Sequence, residues 1–246
     1  MNEVLKQLND RKSVRVFTDA PISAEDKQAI LTAAVMAPTA GNQQLYTIID
    51  VTDPQKKEQL AESCDHQPFI AQAKLVLVFC ADCLKWYDAF CHSDCAPRRP
   101  GVGDLLLAVD DALIAAQNAV TAAESLGIGS CYIGDIMENR DTQKEILGFP
   151  EYVFPAAMLV FGYPTEQQRQ RQKPKRVDLS YIVHENTYRH MDAAELRRML
   201  SKNCRDGDYD RWIQAFCDRK YNSDFAREMT ASVAAYLDEF QKEGEQ

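Results

Sequence analysis

Short runs of almost wholly apolar residues alternate along the chain with stretches whose apolar residues recur every three or four positions. Apolar runs of strand length fit strands buried on both faces, and the three-to-four spacing fits helices with one face turned inward. Val4, Leu5 and Leu8 predict a short helix over Asn2–Leu8, and Val14–Phe17 reads as a short strand. Ser23 makes a good N-cap with Asp26 at N3. Ile30, Leu31, Ala34 and Val35 continue that helix, which Pro38 ends. Tyr46–Val51, Leu75–Cys80, Gly129–Ile133 and Val153–Phe161 are the further strand candidates. Asp53 followed by Pro54 opens a helix to about Ser63, and Asn139–Leu147 forms another that stops near Gly148.

The longest helical pattern runs from Asp104 to Leu126, with Gly127 suited to the position just past its end. Leu105, Leu106, Leu107, Val109, Leu113, Ile114, Val120 and many alanines spread around most of its circumference. Such a helix needs burial on nearly every side. One small domain offers little room for that, so a second subunit is expected to cover part of it. Strands alternating with helices suggest an α/β-type sandwich, one sheet between helical layers. Beyond Asp192 the pattern is helical, ending with Ser223–Phe240.

Composition narrows the function. The chain has 28 basic and 37 acidic residues, a net charge of −9. An acidic surface repels nucleic-acid backbones, so no nucleic-acid partner is expected, and any anionic ligand must meet a local basic cluster. Met1–Asp10 lacks the apolar core of a secretory signal, and no long uncharged apolar stretch predicts a membrane span. Eight cysteines in such a chain read as reduced thiols of a cytoplasmic protein.

Two basic clusters stand out. Arg11, Lys12 and Arg15 flank Ser13, and alternate residues of an extended segment point the same way, so Arg11, Ser13 and Arg15 can converge. Arginine forks with a hydroxyl suit a phosphate monoester. Lys173, Lys175 and Arg176 form the second cluster and could hold the same anion from another side. Between a helix and a strand, in the loop from Ala37 to Gln44, Thr39, Asn42, Gln43 and Gln44 offer donors and acceptors for the polar edge of a heterocycle. The Gly-rich stretch from Gly127 to Gly134 follows a helix and opens a strand, the reverse of a dinucleotide-binding loop, which excludes a Rossmann reading. Each cluster taken singly is also what an ordinary solvated turn looks like.

In this order, Arg-x-Ser-x-Arg, Ala-Pro-Thr-Ala-Gly-Asn-Gln-Gln and Gly-Ile-Gly-Ser-Cys-Tyr-Ile-Gly after a long alanine-rich helix resemble the nitroreductase family. The later Lys-Pro-Lys-Arg and the stretch from Val183 to Tyr188 resemble its NADPH-dependent nitroreductase and FMN reductase branch. The resemblance implies an α+β fold with a central mixed, mainly antiparallel sheet flanked by helices. It also implies an interleaved homodimer with the long helix at the interface, and one FMN per site. An FMN-binding domain would span 1–190, and a helical extension over 191–246 would pack on the dimer. Carried over by position, Arg11, Lys12, Ser13 and Arg15 would hold the phosphate and ribityl chain, with Lys173 and Lys175 or Arg176 on the other side. Pro38, Thr39, Ala40 and Asn42 would line the flavin from the partner subunit. Gln67 would reach its polar edge, and Tyr132, Ile133 and Gly134 would lie along the ring. No protein nucleophile and no metal is implied, because the flavin carries the chemistry.

The activity implied is hydride transfer from NADPH or NADH to FMN, then reduction of a nitroaromatic, quinone or flavin by a ping-pong route. The alternatives on the same fold are an FMN-binding redox sensor and a specialised reductive dehalogenase. Asp135 departs from the small residue common at that place, and a carboxylate there would disfavour an anionic reduced flavin. Cys80, Cys83, Cys91, His92 and Cys95 have zinc-like spacing, yet Cys80 ends an apolar strand, so plain thiols are expected. Arg98 and Arg99 fall in a loop taken to be solvated. Lys202, Arg205 and Arg211 are candidates for the extra phosphate of NADPH.

Overall fold

The computed structural model describes residues 1–204 and 207–241. In chain order the helices are α1 (Glu3–Asp10), α2 (Ala24–Val35), α3 (Pro54–Ser63), α4 (Phe69–Gln72), α5 (Leu84–Cys91), α6 (Val102–Ser125), α7 (Arg140–Leu147), α8 (Glu166–Gln170), α9 (Ala193–Ser201), α10 (Tyr209–Lys220) and α11 (Asp224–Gln241). The strands are β1 (Tyr46–Asp50), β2 (Leu75–Asp82), β3 (Gly129–Ile133) and β4 (Val153–Gly162). Packing divides the chain into two units. One holds residues 1–171 with the chain from Glu228 onward, and the other holds Gln172–Arg227.

The two apolar strands β2 and β4 are buried at every position and form the centre of a sheet ordered β1-β2-β4-β3. All its pairings are antiparallel, so the fold is α+β, and the α/β sandwich suggested by alternation is corrected. Hydrophobic periodicity reports burial and is blind to strand direction. Successive strand residues face opposite sides. Leu75, Leu77, Phe79 and Ala81 pack with α2, α6 and α11, whereas Val76, Val78 and Cys80 pack with α3, α4 and α7. In β4 the parity changes: Phe154 and Ala156 share the α6 side with Leu159 and Phe161. A bulge opposite Phe79 and Cys80 inserts the extra residue, beside Pro155, which has no N–H to give the ladder.

Helix α6 starts at Val102, two residues before the expected Asp104. The Asp104 carboxylate turns back to accept from the Gly101 N–H (2.8 Å), which makes it the third residue of the helix. At the other end Gly127 adopts φ 72°, and the Ile128 and Gly127 N–H groups bond back to Ala123 and Glu124. This Schellman closure releases the chain directly into β3. Ala108, Ala112, Ala115, Ala116, Ala119 and Ala123 are fully buried and let α6 approach the sheet closely. Leu106 (59% exposed), Leu107 (51%), Leu113 and Ile114 are open on the other side. The burial expected on nearly all sides is therefore met on only one face within a single chain. Among the described residues α6 is also the one helix long and apolar enough, by length and composition, to cross a membrane.

Val14–Phe17 is not a strand. The segment touches the sheet at isolated bridges, Ser13 with Ser130 and Phe17 with Pro164. Its side chains enter space that only glycine leaves open. A Cβ on Gly129 would lie 2.6 Å from Val14, and one on Gly162 would lie 2.7 Å from Phe17. Gly→Ala in a strand ordinarily gains stability of a few tenths to 1 kcal/mol. Here Gly129→Ala is expected to lose about 1–3 kcal/mol through overpacking, read as a lower denaturation midpoint in urea.

Candidate active site

The N-terminal cluster is assembled by the run of chain that the two glycines admit. The Val14 N–H bonds the Ser130 carbonyl (2.9 Å), which lays Arg11–Arg15 beside β3. Arg15, Ser13 and Arg11 then face the Cys131 thiol. Burial pushes that thiol up, and the Arg15 charge, the Ser13 hydrogen bond and the Arg11 charge pull it back. Arg11 Nε is buried with no partner. Lys12 is not brought to this group. Its ammonium donates to the carbonyls of Arg169 (2.6 Å) and Arg171 (2.5 Å) at the end of α8, and Arg171 in turn donates to the Ser13 carbonyl (2.5 Å). The alternation that gathers Arg11, Ser13 and Arg15 sends Lys12 the other way.

The end of β3 lies in the same neighbourhood. Burial pushes the Tyr132 hydroxyl up to about 12, with Arg11 opposing. Ile133 is buried, and Gly134 is exposed with open space where a side chain would stand. The Arg15 guanidinium lies 6.0 Å from the centre of the Phe69 ring, next to the loop that carries Gln67. That loop passes through two left-handed residues, Asp65 (φ 59°) and His66 (φ 50°), and the Gln67 amide donates to the Cys64 carbonyl (2.8 Å).

Pro38, Thr39, Ala40 and Asn42 are attached to α6 instead, through a residue that sequence reasoning missed. Asp111 is 3% exposed in the middle of the alanine stripe. Its carboxylate accepts the Thr39 hydroxyl, the Ala40 N–H (2.9 Å) and the Leu45 N–H (3.1 Å). Thr39 also accepts from the Gln44 N–H (2.7 Å). Between these ties Gly41, Asn42 and Gln44 all adopt positive φ, which carries Asn42 to the surface. Trp86 of α5 bonds the Gln43 carbonyl (2.7 Å) and walls a cavity of about 410 Å³ with Tyr87, Phe90 and Leu107. The one legible signal of Asp111 was its spacing, three residues after Ala108 and four before Ala115 on the buried face.

A second missed group is Glu138, 4% exposed, with Oε1 lacking any partner. Burial, then Asp135, Asp65 and Glu228, push its carboxyl up to about 7. Of the remaining expectations, Lys173, Lys175 and Arg176 lie in irregular chain at the start of the second unit. Arg98 makes a two-pronged bond to Asp104 (2.5 and 2.9 Å). Lys202 pairs with Asp178 (2.5 Å), Arg211 lies in the first turn of α10 with its N–H donating to the Asp208 carboxylate (3.1 Å), and Arg205 is outside the described residues. None of the eight cysteines is in a disulfide, and among the described residues no three metal-binding side chains gather.

The model of the nitroreductase family matches residues 8–163. The chain belongs to the nitroreductase family. It is 34% identical over 240 residues to a Bacillus subtilis (strain 168) protein named FMN reductase (NAD(P)H), covering 97% of this chain and 92% of that one. It is 35% identical over 199 residues to the oxygen-insensitive NADPH nitroreductase of Salmonella typhimurium, covering 80% of each. The solved structure of NfrA2 from Bacillus megaterium superimposes with a TM-score of 0.84 at 32% identity over the full length of both chains.

Two outcomes follow from this geometry. Asp111→Ala strips a buried acceptor from three donors, so it is expected to cost about 2–4 kcal/mol in denaturant unfolding and to speed amide exchange at Ala40 and Leu45. Glu138 binds its proton more tightly folded than unfolded. Its contribution is therefore complete below its ordinary value of 4.5 and lost as pH rises through about 7. Glu138→Gln should gain stability over the native chain between pH 5 and 8, on the order of 3 kcal/mol, in unfolding curves taken at both pH values.

Proposed function

We propose that this nitroreductase-family chain is an FMN-dependent oxidoreductase that uses NAD(P)H to reduce flat, electron-poor small molecules: nitroaromatics, quinones or flavins. The observation that carries the reading is the convergence of Arg11, Ser13 and Arg15 beside the end of β3, with a buried Arg11 nitrogen still lacking an acceptor. Two guanidinium groups and a hydroxyl are the donor set a phosphate monoester needs, in a protein otherwise acidic. The exposed backbone at Gly134 leaves room for a planar ring to lie against the chain. These residues fit FMN.

When bound, FMN would supply the two-electron chemistry that links NAD(P)H to the acceptor. The chain's own residues do the rest. Arg11, Ser13 and Arg15 would hold the phosphate and ribityl end, with half-buried Tyr132, buried Ile133 and exposed Gly134 along the ring. Gln67 orients the polar edge from its strained loop. Lys12 acts at one remove, tying the end of α8 to the Arg11–Arg15 segment. Lys173, Lys175 and Arg176 form a second basic cluster whose charge suits a phosphate. Pro38, Thr39, Ala40 and Asn42 complete the pocket from a partner subunit. The open apolar faces of α1 (Val4, Leu5, Leu8) and α6 (Leu106, Leu107, Leu113, Ile114), with Met36, support a homodimer, since scattered exposure rarely forms such a set. Free cysteines support a cytoplasmic location. The Cys80–Cys83 pair gives the sensor alternative no support, because burial raises the Cys83 thiol to about 12 and Cys80 higher still, which disfavours a reactive thiolate at either.

The test is an anaerobic spectrum of the FMN-loaded protein. NADPH should bleach the flavin band, and a nitroaromatic or quinone should restore it. A band that neither NADPH nor NADH changes overturns the reading. Arg11→Ala and Arg15→Ala should each weaken FMN binding about 10- to 100-fold in a fluorescence titration, the range expected for losing one charge-assisted phosphate contact.

A further inference from the structure

Behind the end of β3 lies a group of carboxylates that the proposed reaction does not use. Asp135 follows Gly134 directly, and the turn Gly134–Met137 brings Glu138 back so that its N–H bonds the Asp135 carbonyl (3.0 Å). Asp65 faces Glu138 from the Gln67 loop, and Glu228 faces it from α11, where it accepts the Asn139 N–H (3.1 Å). Among the described residues no cation is bonded to the Glu138 carboxylate. Cys64, at the end of α3, is held as a thiol by burial and by Asp135 and Glu138, and Cys131 in β3 is likewise pushed up by burial. Arg140 of α7 is committed to Asp141 (2.6 Å) and Glu239. A carboxyl 4% exposed, with one oxygen unpartnered and no cation bonded to it, keeps its proton most readily.

We infer that Glu138 takes up one proton when flavin bound along Tyr132–Gly134 is reduced, and releases it on reoxidation. The inference rests on the proposed FMN site. Asp135 is the link, since it faces both Cys131, in the Arg11–Arg15 neighbourhood, and Glu138. Two electrons from NAD(P)H, or from an electrode, add negative charge beside Asp135 and Glu138, and Glu138 has no bonded cation to absorb it. The Glu138 carboxylate then binds a solvent proton and becomes the neutral acid; no bond to the flavin forms. Glu138 is the carboxyl placed to respond, since it is 4% exposed with Oε1 unpartnered. Linkage makes the effect reciprocal, so protonating Glu138 must favour the reduced flavin.

The experiment uses FMN-loaded protein labelled with carboxyl-¹³C glutamate, with the Glu138 signal assigned by its loss in Glu138→Gln. Its titration midpoint should rise between the oxidised and dithionite-reduced states, corresponding to at least a threefold gain in proton affinity. The flavin midpoint potential should also steepen across neutral pH by up to one proton per two electrons. That is a tenfold change per pH unit, or about 30 mV. Glu138→Gln should lose this extra slope. Asp135→Asn keeps Glu138 in place and should lower its midpoint in both states. Identical Glu138 midpoints in the two redox states, or an unchanged slope in Glu138→Gln, overturn the inference while leaving the FMN site intact. Failure to take up FMN overturns both.

Discussion

A single buried carboxylate holds the candidate site to the core. Asp111 lies on the face of α6 that is otherwise alanine, where a charge is costly unless its lone pairs are filled. Thr39, Ala40 and Leu45 fill them, and in doing so fix both ends of a loop whose centre is forced through left-handed conformations. The loop cannot leave without exposing or orphaning that charge, and α6 cannot shift without carrying the loop. Trp86 secures the same stretch from α5 through Gln43.

The opposite wall depends on close approach instead of charge. Gly129 and Gly162 leave gaps on the sheet that Val14 and Phe17 occupy, and this places Arg11, Ser13 and Arg15 beside β3 without a regular strand. Lys12 and Arg171 lace the segment to the end of α8. Both devices depend on α6, since its closure at Gly127 delivers the chain straight into β3. The stability of the core and the placement of the donors are therefore one problem, solved by small residues: alanine where α6 meets the sheet, and glycine where the sheet meets the N-terminal segment.

Much of this was legible in the sequence. The unbroken apolar runs of β2 and β4 marked the buried centre of the sheet, and Ser23 and Asp53 marked where α2 and α3 begin. Alternation along an extended segment brought Arg11, Ser13 and Arg15 together, and applied strictly it also separates Lys12. Strand direction was not legible, because burial patterns carry no sign of pairing. The bulge at Pro155 was hidden for the same reason, as an apolar strand shows no parity to break. Short α5 was not legible because it has no buried residue to mark an inward face. Asp111 and Glu138 were missed because acidic residues in sequence read as surface; only the tertiary burial of their positions makes them informative.

FMN binding by Asp111→Ala tests the account most directly, because Asp111 itself offers nothing to the cofactor and acts only through the loop. The measurement is a fluorescence titration of FMN onto the variant under conditions where circular dichroism shows it folded. The account predicts one FMN per chain in the native protein and an affinity at least tenfold weaker in the variant. A folded Asp111→Ala protein that binds FMN as tightly as the native chain would contradict it.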